Sequence, residues 1–431
     1  MEFTPKFFKE KEIDYIQFQF TNLLGQLKAV ELPAKNWDEM REGTGVDGSS
    51  LGFLTTEQSD MRAVPDYSTF SLLPWDEGIA RFICDLHGID GKPYPFDPRS
   101  VLKKILKEAE SEGFFYSTRP ELEWHFITEK FEVADDGRYM ETVPLDIYHF
   151  LRRRATDYMM QSFSKGAPHT IHHECGSGQH EIELQKCQAL WNADNVQTSK
   201  MIIKQVALDE DILATFMPKP FPGEPGNGMH IHEYLEDKNG TNVFAAEGGI
   251  SDILRWFIGG KIKHIDALCA ILNPSINSYK RLVPNHEAPV FTAWGVANRT
   301  ALIRVPGYES KAHPEFRSPD ASSNIYLVTA ALLAAGLEGI RKKIEPTSQP
   351  TTKNVEKMSA KERKDLGIKA LPENLEEAVN AFEQSSFMKQ LYGKEFVELY
   401  VALKREEIKE HAEAVESGRE LEWERKKYLF C

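Results

Sequence analysis

Apolar residues recur every second position along several stretches of this chain, the mark of strands with one buried face. Tyr15, Ile16, Phe18 and Phe20 precede a turn over 21–25, and Ala29, Val30 and Leu32 follow it, which predicts a hairpin. Residues 47–50 read as a loop, and 70–74 with 80–84 as further short strands, so the first part is a small β-rich domain. Pro93, Pro95 and Pro98 then punctuate the chain. Val101, Ile105, Leu106 and Ala109 fall at helical spacing after them, predicting a helix over 100–112 with a serine cap at Ser100. We place a domain boundary near Asp97, giving domains 1–97 and 98–431.

Beyond it, 121–127 reads as a strand with Glu121, Glu123 and His125 on one face and Leu122, Trp124 and Phe126 on the other. Helices are predicted over 146–163, 195–213, 250–271 and 324–343, and a Pro/Ser/Thr loop over 347–354. His230 and His232 share one face of the segment 226–232. The charged tail 404–427 reads as a helix with a solvated face.

Within that frame, residues 172–182 carry two acids, Glu174 and Glu181, between apolar flanks around a glycine-containing turn. Buried carboxylates are costly unless a cation or a donor compensates them, which suggests half of a metal site; the alternative is a solvated hairpin whose acids face water. Glu121, Glu123, His230 and Glu315 extend the same inventory. Oxygen ligands with an occasional imidazole suit Mg²⁺ or Mn²⁺ better than zinc. Arg281, Arg299, Arg304 and Arg317 lie on apolar segments and need anionic partners, either a bound carboxylate or phosphate or the glutamates themselves. Together the two sets fit a nucleotide phosphate bridged by metals, the equipment of phosphoryl transfer. The chain has neither a Walker-type lysine loop nor a GxGxxG segment, so such a site is of another kind.

Composition narrows this further. A net charge of −14 argues against a general nucleic-acid or anionic-membrane binder. Five cysteines without a CxxC pair point away from a disulfide scaffold and towards a reducing compartment. Residues 1–11 hold no apolar signal core, and the uncharged run 321–337 is short for a membrane span, so a cytoplasmic location is expected.

Several motifs in order resemble the type I glutamine synthetase family nearly end to end: Asp47-Gly48-Ser49-Ser50, Glu121-Leu122-Glu123, His172-His173-Glu174 with Gly178-Gln179-His180-Glu181, Gly228-Met229-His230, Asn277 to Pro284 with Glu287-Ala288-Pro289, Asn298-Arg299, and Glu315 to Arg317. The resemblance implies an α+β fold, a small N-terminal β-grasp-like domain followed by a catalytic domain with a curved antiparallel sheet and helices. It implies ATP-dependent ligation of ammonia to L-glutamate through a γ-glutamyl phosphate, with two divalent cations (Mg²⁺ or Mn²⁺) per site. By motif position Glu123, Glu174 and Glu181 hold one ion, and Glu121, His230 and Glu315 the other. Arg281 and Arg317 grip glutamate, Arg299 and Arg304 the ATP phosphates; Gly226 lies near the amino acid and His232 near the nucleotide. Glu287 belongs to a flap, and Asp47 reaches the site from a neighbouring subunit of a ring assembly, commonly a dodecamer of two hexamers.

The resemblance implies that Asp47 and Glu287 attract ammonium and remove its proton, since ammonium itself is no nucleophile. Flap closure keeps water from the acyl phosphate. The chain departs from the family's pattern at Pro225, where an asparagine is usual, at Asn285-His286-Glu287 in the flap, at Tyr234, at Thr55 and at Glu356. The last replaces a tyrosine that is adenylylated in some members, so that modification is impossible here. Pro225 and His286 keep open a ligase joining glutamate to a larger amine; a non-catalytic regulatory member is a further alternative, opposed by the presence of all six ligand positions.

Overall fold

A computed structural model describes residues 2–54, 59–284, 288–306 and 311–431. Its first sheet comprises β1 (Tyr15–Thr21), β2 (Leu27–Pro33), β3 (Thr44–Asp47), β4 (Asp60–Pro65), β5 (Ser71–Leu72) and β6 (Ile79–Gly88), ordered β2-β1-β6-β4-β3 with β5 on β6. The predicted hairpin is β1–β2, paired antiparallel from Tyr15 opposite Pro33 to Thr21 opposite Leu27. Its turn closes because the Asn22 side-chain oxygen accepts from the Leu24 and Gln26 amides. Phe8, Phe18, Trp37 and Phe82 fill the core beneath this sheet.

A second sheet follows: β7 (Phe115–Ile127), β8 (Pro168–His173), β9 (Gln179–Leu184), β10 (Cys187–Gln188), β11 (Leu213–Thr215) and β12 (Ile231–Glu236). After a small pair, β13 (Ala245–Ala246) and β14 (Gly249–Ile250), it is completed by β15 (Trp294–Val296), β16 (Ile303–Val305) and β17 (Glu315–Phe316). The order is β15-β16-β17-β12-β7-β9-β8, antiparallel except for the β15–β16 pair. Leu122, Trp124 and Phe126 of β7 are buried on one face, as alternation predicts, and helices cover that side. The helices Asp252–Leu272 and Ile325–Lys342 pack together as the densest helical contact. No helix among the described residues is long and apolar enough to cross a membrane.

Three expectations need correction. The helix expected over 100–112 runs Pro98–Ser111, and its cap is Asp97, whose carboxylate accepts from the Ser100 amide. The helix expected over 195–213 is Ala189–Leu208, and Leu213 opens β11. Its first turns were illegible because their polar residues are buried: Asn192 donates to the Thr118 carbonyl, Asp194 pairs with Arg99, and Gln197 donates to Thr21. Of the four arginines expected on near-buried strands, Arg281 instead ends the short helix Ile276–Arg281 and Arg299 lies in a turn.

Candidate active site

The long strand β7 sets the site, because residues two apart on it share a face and its neighbours continue that face in register. Glu123 lies opposite Glu181 of β9, which lies opposite His172 of β8. On the other side Arg119 lies opposite His232 of β12, His232 opposite Glu315 of β17, and Glu315 opposite Arg304 of β16. These rows line one cavity of about 1270 Å³. Its walls also include Glu121, Glu174, Gly226, His230, Arg281, Arg299 and Arg317.

Three possible ligand groups converge in it among the described residues; one, Glu121 with Glu183 and His232, shares Glu121 with the first of the other two. Glu121, His230 and Glu315 bring one ligand atom each within 4.8 Å of one another, as do His172, Glu174 and Glu181. The first trio matches the sequence-based set. The second brings His172 to Glu174 and Glu181; Glu123, expected with those two acids, lies opposite Glu181 and faces the cavity, held by the Gly228 amide at 2.7 Å and the Gln179 side-chain amide at 3.1 Å. No site role was expected for Arg119 or for His172, which entered only as part of a motif, although both fall on the i, i+2 alternation that exposed their acidic neighbours.

The electrostatics of the two groups differ. Burial would raise the Glu121 carboxyl, but hydrogen bonds from His230 (2.9 Å) and His232 (2.7 Å) hold it well below the ordinary range. Glu315, also buried, is held at about 2 by Arg317, which donates to one of its oxygens at 2.5 Å while Arg304 donates to the other at 2.6 Å. Burial pushes Glu181 well above the carboxylate range, and Glu121, Glu123 and Glu174 add to the push. Glu123 is raised by burial and by Glu174. Only Glu174 is brought down on this flank, against its burial, by His172 and the Cys175 amide.

Of the arginines, Arg304 and Arg317 are thus tied to Glu315, while Arg281 donates to the Ser318 carbonyl at 2.8 Å. Arg299 is exposed on the cavity wall. Gly226 is required as glycine: a Cβ there would sit 2.3 Å from the Pro218 carbonyl oxygen and 2.9 Å from Arg281 Cγ. Asn227 behind it accepts from His125 Nδ1 through its side-chain oxygen at 2.8 Å. Tyr234 stacks on His313, ring centroids 4.5 Å apart, beside a side cavity of about 550 Å³ that shares Arg119, Lys311 and His313 with the main one.

Asp47 lies outside this cavity in the same chain; it is exposed, with its carboxylate taken by Ser49 and Ser50 hydroxyls at 2.7 and 2.5 Å. Thr55, Asn285, His286 and Glu287 lie outside the described residues.

The donor set fits divalent cations. It consists of carboxylates and imidazoles without a thiolate pair, and the second group holds more negative charge than its own surroundings neutralise.

Two family models match the chain: "Glutamine synthetase, beta-Grasp domain" over residues 12–88 and "Glutamine synthetase, catalytic domain" over 95–428. A glutamine synthetase of Pyrococcus horikoshii is 41% identical over 97% of this chain and 96% of its own length. One of Thermotoga maritima is 40% identical over 100% and 99%. Among solved structures, "GmaS/ADP complex-Conformation 1" superposes with a TM-score of 0.87 at 30% identity, covering 99% of both chains. "Apo GmaS without ligand" gives the same score and identity over 100% of both.

Proposed function

Because the chain belongs to the glutamine synthetase family, we propose that its cavity joins ammonia to L-glutamate at the expense of ATP, through a γ-glutamyl phosphate. The observation that carries this reading is the convergence of two ligand groups and a set of arginines on one wall-to-wall cavity. A carboxylate is a poor electrophile, and phosphorylating it brings two anions together; groups that offset that charge lower the barrier. The presence of ADP in a structurally similar protein supports a nucleotide in the same fold.

Glu121, His230 and Glu315 would hold one divalent cation, and Glu174 and Glu181, with Glu123 and His172 beside them, the other. Mg²⁺ or Mn²⁺ there would neutralise phosphate and carboxylate charge. Arg281 and Arg317 orient glutamate at its carboxylates, next to Gly226, whose missing side chain leaves the approach open. Arg299 and Arg304 face the phosphates and His232 the nucleotide. For Arg304 and Arg317 this means dividing their donors between Glu315 and the substrate, a division that guanidinium forks allow.

Asp47 of a neighbouring subunit and Glu287 would attract ammonium and take its proton. That arrangement calls for a ring assembly, and a dodecamer of two hexamers is the form we propose, in the cytoplasm. The domain division we propose remains 1–97 and 98–431. Phosphate release from ATP tests the acceptor. Ammonium should support turnover with Mg²⁺ and glutamate, and Asp47→Ala should abolish it. Turnover confined to methylamine, ethanolamine or a polyamine would replace ammonia by a larger amine.

A further inference from the structure

Behind the acid-rich flank of the cavity lies a buried polar cluster that the reaction does not use. His173 and His180 sit directly opposite each other on β8 and β9, and each is the chain neighbour of a ligand candidate, Glu174 and Glu181. Alternation turns them to the face away from the ligands. Their rings lie 4.7 Å apart, and the Asp135 carboxylate reaches under both. Asp135 Oδ1 accepts from His173 Nε2 at 2.8 Å, from the Gly178 amide at 3.1 Å and from the Gly137 amide at 3.2 Å. His173 Nδ1 donates in turn to the Glu174 carbonyl at 2.8 Å. Asp135 Oδ2 faces His180 Nε2 at 3.7 Å, and both atoms are buried without a hydrogen-bond partner.

Two histidines and an aspartate at this spacing have the make-up of a metal site. The tautomer argues against one: Arg152, itself paired with Asp146, donates to His180 Nδ1 at 2.6 Å, so the ring proton sits on Nε2 and no lone pair is left there for a cation. What the cluster does hold is backbone. One carboxylate fixes the turn through the Gly178 amide, β8 through His173, and the loop of Gly137 from outside.

We infer that Asp135 is a positioning residue that sets the separation of Glu174 and Glu181 from behind, and so tunes the cation affinity of that flank. The inference rests on reading the flank as a cation site. Groups that orient metal ligands change affinity by about 10–100-fold when removed. Gly137 offers an independent handle, because a Cβ on it would lie 2.4 Å from His173 Nε2 and would push the ring off Asp135 without removing a polar group.

The test is Mn²⁺ binding to the full assembly by titration, with electron paramagnetic resonance of the free ion, for wild type, Asp135→Asn, Gly137→Ala and Glu181→Gln. Asp135→Asn and Gly137→Ala should each weaken Mn²⁺ by about 10–100-fold. Excess Mn²⁺ should then restore kcat, while KM for glutamate, held through Arg281 and Arg317 and not through Glu174 or Glu181, changes by less than about 3-fold. A merely structural role would lower the melting temperature and leave the Mn²⁺ affinity of the folded protein unchanged, and that result in both variants overturns the inference; if Asp135→Asn does not fold, Gly137→Ala decides alone. Should Glu181→Gln leave Mn²⁺ binding untouched, the reading of the flank as a cation site fails, and not the anchoring argument specifically.

Discussion

The two flanks of the cavity are built from one sheet face yet solve the problem of buried charge in opposite ways. On the β12–β17 flank every acid has a partner in the chain: Glu315 between Arg304 and Arg317, Glu121 between His230 and His232. On the β8–β9 flank Glu174 and Glu181 share His172 while Glu123 is held by two amides, and burial with mutual repulsion lifts Glu181 well above the carboxylate range and raises Glu123 as well. The first arrangement is stable by itself. On the function proposed above the second would be completed by positive charge from solution, which would place cation binding on this flank and leave the other paired within the chain.

The largest effect should come from breaking the self-sufficient flank. Glu315→Gln leaves buried Arg317 and half-buried Arg304 without an anion, and removing one member of a buried pair costs about 3–5 kcal/mol. Urea unfolding should report that loss, together with loss of activity. Next in size is Glu181→Gln, whose stability effect has the other sign. It should lower kcat/KM by about 10–100-fold while raising stability, since it removes the least compensated carboxylate. Two substitutions of one kind, with opposite effects on melting, would confirm the contrast; equal destabilisation would end it.

Added cation sharpens the comparison without mutation. Mn²⁺ at about 100 times its Kd should stabilise the wild type by about 2.7 kcal/mol, chelation should reverse this, and Glu181→Gln should lose much of the response. The pH dependence has a defined sign. Glu181 is raised in the folded state, so its contribution is fully present below the ordinary carboxylate pKa and is lost as pH rises through the raised value. Melting of the cation-free protein should therefore fall as pH rises above the ordinary carboxylate range through this group, and saturating Mn²⁺, which favours the ionised form, should flatten that slope.

How much of this could be read beforehand follows from where the pattern is local. Alternation along 121–125 and the hairpin flanking Glu174 and Glu181 expose the ligand face directly, because strand geometry alone fixes it. Pairing across strands is not local. That Glu315 takes Arg304 and Arg317, and that Glu123 is capped by the Gly228 amide and Gln179, depends on register set by residues far away in sequence. The helix Ala189–Leu208 failed for the same reason: Asn192, Asp194 and Gln197 are polar to a reader of the chain and interior to the fold.

Asp97 supplies the smallest test and the control for the whole comparison. It too is a buried acid without a full counter-charge: burial, then nearby Asp85, push its carboxyl up to about 7. Unlike Glu181 it lies outside the cavity, and its carboxylate has structural work, accepting from the Ser100 amide at the start of the helix Pro98–Ser111. A folded pKa of about 7 against an ordinary 3.8 means that the folded state binds the extra proton between those values, so the contribution is full below about pH 4 and lost as pH rises through 7. Asparagine caps helices as well as aspartate and carries no charge. Asp97→Asn should therefore stabilise the protein by about 2 kcal/mol at pH 8, with the gain shrinking towards pH 4, and should leave kcat and Mn²⁺ affinity unchanged. If cation affinity fell as well, a raised carboxyl anywhere in this fold would feed into the site, and the contrast between the cavity's two flanks would not be local; if only stability moves, an unmatched acid is functional here because of where it faces.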